Sequence, residues 1–328
     1  MSTIAFCRPL LLSALVAGLC AGSALAQDGF PVTITGGLGS VVIEQAPTRV
    51  LALSGTDADH LLALGVVPLA IPSMPQTDAM TGGTGILPWQ RELYPAGLAK
   101  VEAPVTNINY ESLAALDPDL IVATTYWGLD AESYARLSAL APVVHFDTGT
   151  NADPWQDYSR KIAAALGRPE AAEAAIAKAE AAIAAARAAA PELQGRSFNA
   201  IISPSDEGVY ILCSDDDNLA RVTGALGLVL SDYAKTVPCD GGKGEVSWDN
   251  VSNLDADLLW VIPDDVEQIA VLDRQPLWPR LGAVQRDALV VVPKTTGVPY
   301  ALAFPSPLSI AWTVEQLAPQ FAAAAARP

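Results

Sequence analysis

Histidine is nearly missing from this 328-residue sequence: His60 and His145 are the only two, and there are only four cysteines. A metal centre of three or four converging side chains therefore has little to draw on. His60 falls on a predicted helix and His145 within an apolar strand, where a packed imidazole is the simpler reading. Asp215-Asp216-Asp217 is an acidic run without the glycine that a calcium loop needs at its sixth position, so it reads as a solvated loop. Common catalytic motifs are missing too. There is no Gly-x-Ser-x-Gly elbow, no His-Glu-x-x-His and no Gly-x-x-x-x-Gly-Lys, and Gly37-Leu38-Gly39 lacks a third glycine and sits in a hairpin pattern. No catalytic residue and no metal ligand is assigned, and a secreted hydrolase is only the remote alternative. Basic residues are outnumbered, 19 against 36 acidic ones, for a net charge of −17. Such a surface repels nucleic acid and anionic lipid.

What is present begins with a targeting pattern. Arg8, an apolar run from Leu10 to Gly22 and Ala24-Leu25-Ala26 read as a signal peptide, residues 1–26, cleaved after Ala26 to leave a periplasmic protein. The run is shorter than the about 20 residues that span a bilayer. Lipid anchoring at Cys20 is the lesser reading, because Leu19 stands where lipoprotein processing needs a small residue. Cys7 and Cys20 leave with that segment. Cys213 and Cys239 remain as a pair in an oxidising compartment and are predicted to form a disulfide.

Along the rest, strands and helices alternate. Val32 to Ile34 and Val41 to Ile43 flank a glycine cluster as a hairpin; Val50 to Leu53 and Val66 to Ile71 read as strands around a helix from Asp57 to Leu64. Residues 72–109 are loop-rich and long enough to expect a function. Strands at Leu120 to Ala123 and Val143 to Phe146, with helices at Tyr110 to Leu116 and Ala131 to Leu140, complete a first lobe, residues 27–153. Residues 154–191 are helical, with a long alanine-rich helix over 169–190 opened by Pro169. It sustains no heptad of large apolar residues, so a connecting helix is preferred over a coiled-coil arm. Strands at Phe198 to Ile202, Val209 to Leu212, Leu258 to Ile262 and Leu289 to Val292, with a helix at Leu219 to Leu226, form a second lobe, residues 192–328. An internal echo links the two lobes. Tyr110-Glu111-Ser112-Leu113-Ala114-Ala115-Leu116-Asp117-Pro118-Asp119-Leu120 aligns without a gap to Trp248-Asp249-Asn250-Val251-Ser252-Asn253-Leu254-Asp255-Ala256-Asp257-Leu258.

A succession of short motifs then resembles the siderophore-binding branch of the class III periplasmic binding proteins, the group that also holds cobalamin binders. They are Phe30 to Ile34, Ala46 to Leu53, Leu62 to Pro68, Glu111 to Val122, the Tyr134 to Val143 pattern and Pro307-Leu308-Ser309. The resemblance implies an α/β fold of two Rossmann-like lobes with parallel sheets, joined by one long helix, with a ligand cleft between them. It implies a monomer that takes no cofactor, holds a chelated ferric ion as a ferric siderophore, and serves the subunits of an ABC permease in the inner membrane. Cobalamin, haem or another metal chelate is the alternative cargo. Glu111 and Asp249 occupy the positions of the acids that dock with the permease, although the family's usual residue at the second is Glu. Without a partner, an acid there would still favour its helix N-terminus.

Ligand contacts are expected from loops at the carboxyl ends of strands. The candidates are Ser54, Asp57, Trp89, Arg91, Tyr126, Trp127, Tyr210 and Tyr300, whose rings and donors suit a bulky chelate. For any single ring, core packing is the competing role. Tyr126-Trp127 before Gly128 is the best pair, because adjacent aromatics at a strand end serve a core poorly. Few arginines beyond Arg91 fall in such loops, which favours a neutral or weakly charged ligand such as a hydroxamate complex. Arg49 reads as a surface or capping residue.

Overall fold

The computed structural model describes residues 29–327, so the signal-peptide reading, Cys7 and Cys20 lie outside the described residues. Strand β1 (Val32–Gly36) and β2 (Gly39–Ile43) pair as the antiparallel hairpin foreseen around the glycines. Gly36 packs so closely on His145 that a Cβ would fall 2.6 Å from its Nε2, and the same Nε2 accepts from the backbone N–H of Leu38. His145 is a structural hydrogen-bond partner of the hairpin.

Next come β3 (Val50–Ala52), α1 (Gly55–Ala63), β4 (Ile71–Ser73), α2 (Asp78–Thr81) and β5 (Lys100–Glu102). Helix α3 (Tyr110–Ala114), β6 (Leu120–Ala123), α4 (Ala131–Ser138) and β7 (Val143–His145) follow. Strands β3, β6 and β7 make a parallel sheet in that order, and β4 pairs with β5 beside it. The strand expected over Val66 to Ile71 is displaced to β4. Pro68 offers no N–H to a ladder, and Val67 stays exposed in the bend that precedes the strand. The stretch 72–109 is also more ordered than its glycines and prolines indicate, since β5 lies within it.

Helix α5 (Trp155–Ala165) leads to α6 (Pro169–Ala189), 21 residues or about 32 Å of continuous helix. Its small side chains let two cores approach it closely: Ala172 belongs to the apolar cluster of the first half, Ile176 and Ala179 to that of the second. Beyond it lie β8 (Ser197–Ile202), β9 (Gly208–Leu212), α7 (Asn218–Ala225), β10 (Val229–Leu230), β11 (Lys243–Ser247) and β12 (Leu258–Ile262). The chain closes with α8 (Ile269–Asp273), α9 (Gly282–Gln285), β13 (Leu289–Val291), α10 (Val298–Ala303) and α11 (Pro307–Ala325).

The second sheet is mixed rather than wholly parallel. Strands β10, β8, β12 and β13 run parallel, β9 pairs antiparallel with β8, and β11 pairs antiparallel with β9 and so runs in the direction of β8. Residues 203–207 are too few for a crossover, so β9 must turn back on β8. The motif at Pro307 opens α11, which packs along α6 and reaches α1.

The sequence echo occupies equivalent places in the two sheets. Leu120 pairs with Val50 and Ile121 with Val143; Leu258 pairs with Phe198 and Leu259 with Leu289. The aligned acids do the same work. Asp119 accepts from the Thr48 and Arg49 backbone N–H groups, both at 2.8 Å, and Asp257 accepts from the Ser197 N–H at 2.8 Å. Each carboxylate ties the start of one strand to the start of its neighbour. Arg49 donates to the carbonyls of Leu116 and Asp117, the capping role read for it.

Candidate functional site

Parallel strands deliver their following loops to the sheet's carboxyl edge, and here both sheets turn that edge toward one cleft. Residues after β4 and β6 (Met74, Thr125, Trp127) face residues from β8, β12 and beyond (Ser203, Asp264, Lys294). One cavity there is about 710 Å³, and neighbours of about 600 and 440 Å³ share walls with it through Leu219, Lys243, Tyr300 and Phe304. Such volumes suit a small-molecule ligand.

One wall is aromatic. Tyr300 stacks on Phe304 with centroids 4.6 Å apart, and Trp127 meets Phe304 edge-on at 6.4 Å. Tyr210 looks in from β9, and both Trp127 (54 % exposed) and Tyr210 (50 %) present large rings to solvent. Unburied rings of that size are costly unless something covers them. At the floor, Asn151 and Asn218 both donate to the Ala303 carbonyl, at 2.8 and 3.2 Å, stitching the two halves together.

Of the eight ligand candidates, the structure brings Trp127, Tyr210 and Tyr300 to the cavity and leaves five elsewhere. Ser54 is the N-cap of α1, its Oγ accepting from the Asp57 N–H at 2.9 Å. Asp57 is wholly buried and accepts from Thr124 and Thr125, so the two support the cleft wall from beneath. Burial pushes its carboxyl up to about 6. The Tyr126 ring turns into the core and its hydroxyl donates to the Pro104 carbonyl; burial raises it to about 12. Trp89 donates to Asp59 and packs behind Tyr300 and against Trp312. Arg91 is exposed and lines none of these cavities. A strand-end position therefore placed Tyr126 correctly in the chain but not on the correct side.

Phe304, Lys243, Lys294, Asp264 and Met80 line the cleft without having been singled out. For Phe304 a signal existed: it follows Tyr300 by four residues, the spacing that stacks two rings on one helical face. Glu111, in α3, and Asp249, just after β11, are both exposed. Since β5 and β11 run in the sense of their parallel neighbours, both acids stand at the carboxyl edges of their sheets, on the cleft side. The predicted disulfide is present, Cys213 to Cys239, with Cα atoms 5.7 Å apart. Among the described residues no group of three or more His, Cys, Asp or Glu is placed to hold a metal, and no helix is long and apolar enough to cross a membrane.

A family model described as periplasmic binding protein matches residues 50–296, which takes in both sheets and the joining helix. The chain belongs to the periplasmic binding protein family. Among solved members, a periplasmic solute binding protein from Mycobacterium smegmatis is 28 % identical, with a TM-score of 0.76 over 90 % of this chain and 98 % of that one. PiaA of Streptococcus pneumoniae, solved in complex with ferrichrome, is 25 % identical with a TM-score of 0.74 over 90 % and 98 % of the two chains. The ferric-anguibactin-binding protein FatB of Vibrio anguillarum is 33 % identical over 125 residues, a stretch that spans 36 % of this chain and 32 % of FatB. The family's proteins are substrate binders.

Proposed function

We propose that this protein captures a ferric siderophore or similar iron chelate and delivers it to an ABC import permease. The observation that carries the reading is the open aromatic wall of Trp127, Tyr300 and Phe304 at the joint carboxyl edge of two sheets. Flat exposed rings give apolar contact to a bulky chelate, while Tyr210 and the lysine ammonium groups can donate to its oxygens. The reading carries with it export to the periplasm with cleavage after Ala26, a partition at residues 153 and 191, a monomeric state and binding without turnover. It also gives Glu111 and Asp249 the permease-docking role, one acid on each side of the cleft mouth.

The test is a titration of the protein with ferric chelates, cobalamin and haem, read by quenching of its seven tryptophans. Saturable one-to-one quenching by a ferric chelate, with the chelate recovered unchanged, is the expected result. No response to any member of the panel would remove the proposal.

A further inference from the structure

We infer that the cleft accepts uncharged or cationic chelates and rejects anionic ones, and that Asp217 and Asp264 set this choice. The inference rests on the chelate-carrier reading above. Three cations border the cavities, and each already has an acid beside it. Lys294 Nζ lies 2.5 Å from Asp264 Oδ1 and donates to Ser203 Oγ at 2.6 Å. Asp264 is held in turn by Ser203 (3.0 Å) and by Gln268 Nε2 (2.9 Å), so the pair is fixed from both ends. Lys243 Nζ lies 3.1 Å from Asp217 Oδ2, and the other oxygen of Asp217 caps α7 by accepting from the Leu219 N–H at 2.8 Å. The third pair, Arg221 with Asp216, is looser at 3.7 Å.

A fourth acid, Asp240, faces the 710 Å³ cavity and has no cation within ion-pair distance among the described residues. Acids thus outnumber bases along the walls, and the net charge of −17 adds to the repulsion of any approaching anion. A trianionic chelate would have to shed water against fixed carboxylates or strip a lysine from its partner, and either is unfavourable. A neutral chelate meets neither obstacle. Each ammonium has three protons and so keeps donors for amide or hydroxamate oxygens.

The experiment titrates the protein with ferrichrome (uncharged), ferrioxamine B (cationic) and an iron(III) tris-catecholate (trianionic) at fixed ionic strength. Wild type is expected to bind at least one of the first two about 100-fold or more tighter than the tris-catecholate. Asp217→Asn together with Asp264→Asn, which frees both lysines and keeps the α7 cap, should tighten tris-catecholate binding by about tenfold or more and weaken ferrioxamine B. If the double variant fails to fold, Asp264→Asn alone, at the more open pair, carries the test in the same direction. Tris-catecholate bound as tightly as the others by wild type, or an unchanged ratio in the variants, overturns this inference and leaves the chelate-carrier reading standing. Binding of none of the three also overturns this inference, and the chelate-carrier reading is then decided by the wider panel above.

Discussion

Ser306 Oγ donates a hydrogen bond to Asp59 Oδ2 at 2.9 Å, across 247 residues of sequence. The Asp59 carboxylate is wholly buried in α1 and also accepts from Trp89 Nε1 and from Gln90 Nε2, the latter at 2.6 Å. Ser306 is itself the N-cap of α11. One acid thereby binds the first helix, the loop after it and the last helix, and through Trp89, which stacks on Tyr300, it backs the aromatic wall of the cleft.

This cluster sets an unusual pH response. Burial pushes Asp59 up to about 7 and Asp57 up to about 6, from an ordinary 3.8, and drives His60 down to about 3 from 6.5. For the acids the folded protein binds more protons than the unfolded chain between about pH 4 and their raised values, so stability is lost as pH rises through that window. For His60 the unfolded chain binds more, and stability is lost as pH falls from about 6.5 toward 3. Each contributes a slope of up to about 1.4 kcal/mol per pH unit, of opposite sign. His145, also lowered by burial, adds to the His60 side. Two acids stand against His60 with some help from His145, so wild-type stability is expected to fall modestly as pH rises from about 4 to about 6. His60→Gln should lose stability more steeply than wild type as pH rises through this range, and Asp59→Asn less steeply. Parallel melting curves for the three proteins would contradict the assignment.

The disulfide sits directly behind the cleft. Cys213 directly follows β9 and Cys239 precedes β11, and Ser214, Asp217 and Asp240 on the adjoining loops, with Lys243 at the start of β11, line the cavities. Replacing both cysteines by serine should cost about 3 to 4 kcal/mol of stability. It should also weaken chelate binding by releasing those loops. Thermal unfolding with and without reductant checks the first effect, and an unchanged midpoint would refute it.

Cleft aromatics and their supports separate by readout. Trp127→Ala, at a half-exposed ring, should weaken chelate binding about tenfold or more while leaving stability within about 0.5 kcal/mol. Trp89→Phe instead deprives buried Asp59 of a donor and should destabilise the fold by about 1 to 3 kcal/mol. Arg91→Ala should alter neither property by more than about 0.5 kcal/mol. Titration and denaturant unfolding of the three variants tell these roles apart.

Charge reversal at the rim addresses docking. Glu111→Lys and Asp249→Lys leave the cavity walls untouched, so chelate affinity and melting temperature should stay at wild-type values. Uptake measured with the cognate permease in vesicles should fall for each and vanish for the pair. Undiminished uptake by the double variant would remove the docking role.

Much of the architecture was legible because it rests on local rules. The apolar runs at Leu120 and Leu258, each behind an Asp-x-Asp turn, became the middle strands of their parallel stretches, and Pro169 opened the long helix where it stands. The mixed order of the second sheet was hidden because β11 carries Lys243, Gly244 and Glu245, a poor match to a buried-strand pattern. The cleft was half legible. Trp127, Tyr210 and Tyr300 could be named from type and position, but nothing in the sequence tells which neighbour of a strand end turns inward, so Tyr126 was assigned to the wrong side. Ser54 and Asp57 obeyed a stronger local demand, capping α1 and anchoring the turn after β6. Lys243 and Lys294 were overlooked because their meaning lies in acids that are distant in sequence.

Ala172 is packed into one half and Ile176 and Ala179 into the other, barely two turns further along α6, with α11 lying against the same helix. Swinging the halves apart would tear one set or the other from its bed. Empty and laden forms should therefore scatter X-rays almost alike, and under the proposed function a permease would sense freight by touching the groove's lip and its contents rather than by any snap of jaws.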